Sequence, residues 1–176
     1  MGKLFNLESV TINWPQVFSA KGSKKFPTNP AKFSASCLIE AGSANHHALV
    51  NAMNEVATES FPDGACQFPT LAPSADGKYV EVRASANADS PPGVLDGSKN
   101  EILNPGEIYS GVVCNVALDV FASTNYGRVC IGLLGVQKVK DGPRMDNRPD
   151  TSELFQPINV VNNLQPGAPT VGKLLG

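Results

Sequence analysis

The chain has 176 residues, 14 Lys and Arg against 16 Asp and Glu, and a formal net charge of −2. With 41% apolar and 17% charged residues it is globular rather than disordered, and its 16 Gly and 14 Pro argue against a long-helix bundle. The charge balance excludes a uniformly basic coat for nucleic acid but leaves room for a local basic groove.

Residues 9–18 read as a first strand, because Val10, Ile12 and Trp14 alternate with Thr11 and Asn13. Pro15 ends that strand or places it at a sheet edge. The loop that follows, residues 20–32, carries Lys21, Lys24, Lys25, Lys32 and one aromatic, Phe26, and contains no acid. A second strand puts Phe33, Ala35, Cys37 and Ile39 on one face and Ser34 and Ser36 on the other. Next comes a helix with Ser43 as N-cap and Leu49, Met53 and Val56 at i, i+4 and i+7. It stops before Phe61-Pro62, and residues 61–78 read as loop.

Residues 79–87 form a third strand, with Val80, Val82, Ala84 and Ala86 on one face. Tyr79, Glu81, Arg83, Ser85 and Asn87 lie on the other. After a turn-rich stretch, residues 108–122 give the longest strand signal. Their even positions, from Ile108 to Ala122, are almost all apolar, and their odd positions include Tyr109, Gly111, Asp119 and Phe121. Residues 123–127 suggest a hairpin tip, and residues 128–139 the returning strand. Gly132 and Gly135 inside it mark a bulge, a barrel bend or the close approach of another backbone. From residue 149 the chain reads as an extended Pro/Gly-rich tail with one apolar patch at Leu154 and Phe155. The expected organisation is a domain over residues 1–148 and a tail over 149–176.

About five strands and one helix imply an all-β chain, a five-stranded Greek-key barrel of the OB type with a helical plug. The usual barrel of this kind carries its helix between strands three and four, so an extra or unread strand is expected. No apolar run reaches the ~20 residues of a membrane span, and residues 1–13 lack the pattern of a signal peptide, so an intracellular protein is expected. Cys37, Cys66, Cys114 and Cys130 form no CxxC motif, and three sit in apolar runs as expected of free thiols.

Signals for catalysis or metal binding are weak. His46 and His47 are neighbours and splay apart on a helix. Residues 167–173 match a phosphate loop, but Leu174 stands where Ser or Thr must hold magnesium. Asp119 is read as a cross-strand partner of Arg128 or Lys138. No cofactor is expected. Binding signals are stronger, because cations and aromatic rings interleave on one surface: Tyr79 with Arg83, Tyr109 with Phe121, Tyr126 with Arg128, and Phe26 among the loop lysines. The plain alternative makes Phe33, Phe121 and Trp14 core residues and the lysines ordinary solvated charges.

These residues carry a resemblance. The run Ile108-Tyr109-Ser110-Gly111, continuing through Asn115 and Phe121, and the run from Gly132 through Gln137 to Asp141-Gly142 are similar to segments of bacteriophage single-stranded DNA-binding proteins with an OB fold. Pro92-Gly93-Val94-Leu95-Asp96, Lys32-Phe33-Ser34-Ala35 and the opening strand ending in Phe18 resemble the same family, so that the likeness spans residues 9–155. It implies a non-enzymatic protein that coats single-stranded DNA with little sequence preference during phage replication or recombination, in the cytoplasm of the infected bacterium. The matching surface here is Lys21, Lys24, Lys25, Phe26, Lys32, Tyr79, Arg83, Tyr109, Phe121, Tyr126, Arg128 and Lys138. Weak duplex binding stays open, as does a homo-oligomer or cooperative array formed through the non-acidic tail. The alternatives are a phage assembly protein that uses the barrel for protein contacts and, more remotely, a hydrolase built on Asp119 with Glu107 or Asp96.

Overall fold

The computed structural model describes residues 2–145 and 155–158. The chain divides into two compact units at residues 146 and 147. In the second, Phe155 and Ile158 are exposed, while Leu154 lies outside the described residues.

Seven strands and one helix build the first unit: β1 (Lys3–Lys21), β2 (Lys32–Glu40), α1 (Ala44–Ser60), β3 (Ala72–Pro73), β4 (Tyr79–Asn87), β5 (Gly93–Leu95), β6 (Val113–Ser123) and β7 (Arg128–Lys140). Five of them close a barrel in the order β1-β2-β4-β7-β6 and back to β1. Four of its seams are antiparallel; in the other one β4 meets β7 in parallel at a single pair, Ser85 and Gly132. This is the expected OB-type barrel. The expectation of an extra or unread strand is met outside the barrel rather than in it. Two short strands went unread, β3 and β5, but they only add to the sheet edges. The helix sits between the second and third barrel strands.

Why β1 is so long is a matter of pairing. One strand must bond to both β2 and β6, which requires strong coiling, and β-bulges supply it. Its register slips between Leu7 and Val10 against β6 and between Asn13 and Gln16 against β2. At these slips Ser9 (φ 52°) and Trp14 (φ 50°) take left-handed backbone. Their freed amides are satisfied by side chains: Ser9 N–H donates to Asn115 Oδ1 and Trp14 N–H to Ser110 Oγ, both at 2.9 Å. The strand therefore runs through Pro15 rather than ending there, and Trp14 is turned outward, 57% exposed, rather than into the core.

Alternation fills the barrel as read from the sequence. Leu7, Ile12, Cys37, Ile39, Val82, Ala84, Val116, Leu118 and Val120 are essentially inaccessible. The helix plugs this interior with Leu49, Met53 and Val56, and the Ser43 side chain accepts a hydrogen bond from His46 N–H at its start. Among the described residues no helix is long and apolar enough to cross a membrane.

The predicted strand over 108–122 begins only at Val113. Pro105 to Glu107 form a 3-10 turn, and Gly111 at φ 114° breaks the extended path. Ile108, Ser110 and Val112 still point inward, because residues 111 and 112 fold back onto Ile12 through two backbone hydrogen bonds. Here the segment after β7 crosses over. A Cβ at Gly111 would overlap the Pro143 carbonyl, and one at Gly142 would overlap the Gly111 carbonyl. Gly142→Ala is expected to cost about 1–3 kcal/mol by overpacking, read as a lower denaturation midpoint, whereas Gly22→Ala, with open space around it, leaves the midpoint in place. Equal midpoints would show that the crossing yields without cost.

Candidate nucleic-acid interface

The seam between β4 and β7 is also the floor of a cleft of about 680 Å³. Sequence positions far apart meet there because the barrel closes: Lys32 from β2, Arg83 and Asn87 from β4, Asp119 and Phe121 from β6, and Arg128 and Leu134 from β7. Gln67, Phe68, Pro69 and Thr70 form one wall. Of the residues read from the sequence as a binding surface, Lys32, Arg83, Phe121 and Arg128 are thus gathered into one cavity.

Two of the three cations of this cleft, Arg83 and Arg128, are positioned by neutral groups. Arg83 donates from its guanidinium to Ser34 Oγ at 2.7 Å and to Ser36 Oγ at 3.4 Å, two hydroxyls on the adjacent strand β2. Arg128 lies over the Tyr126 ring, 5.3 Å from its centre, at the hairpin tip. Among the described residues, Lys32, Arg83 and Arg128 form no ion pair. Arg83 and Arg128 are oriented, and none of the three charges is cancelled by an ion pair among the described residues, which is what an anion needs. The expected pairing of Asp119 with Arg128 or Lys138 does not occur. Asp119 stands opposite Gly132, which offers no side chain, and Lys138 is engaged elsewhere.

The 22–31 loop rises at the Lys32 end of the cleft, because Lys21 and Lys32 face each other across the β1–β2 pair. Lys24, Lys25 and Phe26 on it are exposed, with the Lys25 ammonium 5.5 Å from the Phe26 ring centre. Tyr126 is 73% exposed at the β6–β7 tip. Its turn is closed by Gly127 in left-handed backbone, and that turn is fixed to the cleft wall by Gln67 N–H donating to Gly127 O. Barrels of this kind bind oligonucleotides between these two loops.

Three predicted residues lie elsewhere. Tyr79 is at the far end of β4, beside Met145 and Pro143. Tyr109 and Lys138 belong to a cluster at the other end of the β6–β7 hairpin. The Tyr109 hydroxyl accepts from Gly142 N–H (3.1 Å) and lies 3.0 Å from Asp141 Oδ1, and its ring is flanked by Lys138 and Arg144. Lys138 bonds Glu107 at 2.7 Å and Asp141 at 2.8 Å. Burial alone would lower the Lys138 pKa, but its bonds to Asp141 and Glu107 outweigh this and raise it. Hydrogen bonds from Lys138 and then Tyr109 hold the Asp141 carboxyl below its ordinary value. With Glu107 spent on this cluster and Asp96 accepting the amides of Ser98 and Asn100, neither carboxylate is set beside Asp119 for acid–base work.

Sequence reading missed Phe68, 47% exposed on the cleft wall. Its only sequence signal is an aromatic before proline in a loop, which carries no periodicity. The four cysteines are free. Burial pushes the Cys37 and Cys114 thiols up to about 12, whereas Cys130 is half-buried in the cleft lining. Thiol alkylation of the folded protein at neutral pH is expected to modify Cys66 and Cys130 and to spare Cys37 and Cys114 until denaturant is added. Labelling of Cys37 under native conditions would contradict the closed barrel.

Comparison with known proteins bears on this geometry. A family model described as the single-stranded DNA-binding protein of Enterobacter phage Enc34 matches residues 4–164. The structure of the bacteriophage Enc34 protein in complex with single-stranded DNA superposes with a TM-score of 0.66 at 17% identity, covering 81% of this chain and 89% of that one. The same Enc34 protein in a second structure gives 0.62 at 19% identity, over 87% and 90% of the two chains. The single-stranded DNA-binding protein gp2.5 of bacteriophage T7 gives 0.58 at 12% identity, over 89% and 96%. At such identities the likeness to these structures is one of fold. No curated protein sequence matches.

Proposed function

The chain belongs to the family of the Enterobacter phage Enc34 single-stranded DNA-binding protein, and we propose that it coats single-stranded DNA with little sequence preference, acting by binding rather than by catalysis. The observation that carries this reading is the cleft over the β4–β7 seam, where three cations without acid partners surround exposed aromatic rings.

Lys32, Arg83 and Arg128 follow the phosphates, and at one end Lys21 at the close of β1 and Lys24 and Lys25 on the 22–31 loop add to them. Phe121 and Phe68 offer their faces to bases, with Tyr126 and Phe26 at the two loop tips. Base–aromatic stacking is worth about 1–3 kcal/mol per base and tolerates any sequence. In this reading Tyr79, Tyr109 and Lys138 support the fold. Work on replicating or recombining phage DNA inside the infected cell follows from the same reading, because that is where single strands are exposed.

Fluorescence anisotropy with a labelled ~30-nucleotide oligo-dT tests it. Affinity is expected to fall with salt at a log–log slope of about −0.7 per phosphate neutralised and to exceed that for a duplex of equal length. Phe121→Ala is expected to weaken binding by about 1–3 kcal/mol and Tyr79→Ala to leave it unchanged. No binding at low salt would remove nucleic acid as the ligand, and equal losses in both variants would move the site off the cleft.

A further inference from the structure

Among the described residues three polar side chains are buried, and two of them, Ser34 and Ser36, stand on the outer face of β2, 4% and 2% exposed. A buried hydroxyl is costly unless it is bonded. Both accept hydrogen bonds from the Arg83 guanidinium, Ser34 Oγ at 2.7 Å and Ser36 Oγ at 3.4 Å. Neither serine lines the cleft, whereas Arg83 does, so their contact is with the arginine and not with a ligand. The register gives these bonds a direction. Arg83 stands opposite Ser36, and the next outward pair along the two strands is Ser34 with Ser85. Reaching Ser34 carries the guanidinium along β4 toward Ser85, the residue that meets Gly132 at the seam. The other direction leads to Glu81, two positions back on the same face of β4 and roughly 7 Å away along the strand. Glu81 forms no ion pair among the described residues. An arginine released from the serines has that carboxylate within reach, and pairing there cancels the charge a phosphate uses.

We propose that Ser34 and Ser36 are positioning residues that hold Arg83 over the seam for a phosphate of the bound strand and keep it off Glu81. The proposal rests on the single-strand-binding reading above. Hydroxyls suit this task because they accept the guanidinium hydrogens without neutralising the charge. Two acceptors spaced along one strand also fix the planar group in direction as well as in place. The serines take one bond from each terminal nitrogen, which leaves the guanidinium further N–H donors for the ligand.

The test measures binding of labelled oligo-dT of ~30 nucleotides by the intact protein, by Ser34→Ala alone and with Ser36→Ala, and by the same serine variants in an Arg83→Ala background, each checked for folding by circular dichroism. Ser34→Ala, which removes the shorter bond, is expected to weaken binding about fivefold and to weaken it no further once Arg83 is already alanine. Glu81→Gln added to Ser34→Ala is expected to recover most of that loss and to change the intact protein little. An equal loss with and without Arg83 shows that the serines act on the fold at large and overturns the inference. Unchanged binding in the folded serine variants overturns it too, as does a gain from Glu81→Gln that is the same in both backgrounds. Each of these results leaves single-strand binding standing. If the intact protein does not bind oligo-dT at low salt, the functional reading itself has failed and takes this inference with it.

Discussion

The barrel is held shut at its weakest seam by one parallel pair, Ser85 with Gly132, and the rest of the molecule is arranged to make that closure attainable. Parallel pairing is less stable per residue than antiparallel, so the seam depends on small residues that let two backbones meet and on the four antiparallel seams around it. Those in turn depend on β1 coiling enough to serve two neighbours, which its register shifts permit. The same closure makes the cleft. Lys32 and Arg83 arrive from one side of the seam and Phe121 and Arg128 from the other, so the binding surface has no existence apart from the finished fold.

Within that surface the choice of partners for the cations matters more than their number. Arg83 is held by serine hydroxyls and Arg128 by an aromatic ring, which fix direction without cancelling charge. Lys138 is held by two carboxylates, which cancel it. A chain with net charge −2 can offer a cationic groove because several of its acids are spent elsewhere: Glu55 on Lys3, Glu107 and Asp141 on Lys138, Asp76 and Asp96 on turns.

Much of this was legible in the residues. The helix declared itself through Ser43 and the Leu49, Met53, Val56 spacing, and the two long strands of the hairpin through their alternation. The run from Tyr109 to Gly142 that carries the family likeness holds both cleft residues, Phe121 and Arg128, and packing positions: the Tyr109 cluster, the Gly111–Gly142 crossing, the Asn115 and Gln137 amides, and Gly135, where a Cβ would come within 3.0 Å of the Gly93 carbonyl. Less visible were features that leave no periodic mark. Left-handed backbone at Ser9 and Trp14 has no compositional signature, and a three-residue parallel strand such as β5 is too short to show alternation. Tyr109 continued the alternation of β6 although its backbone had already turned away. Phe68 stayed hidden because cleft walls built from loops obey no repeat.

The pairing of Lys21 with Lys32 across β1 and β2 sets two like charges opposite each other, an arrangement that weakens a hairpin. Both side chains are exposed, so solvent screens much of that repulsion. In the proposed reading a polyanion lying along the 22–31 loop would set its charge against both lysines at once, so the base of the loop is where a bound strand would offset a like-charge rung of the sheet.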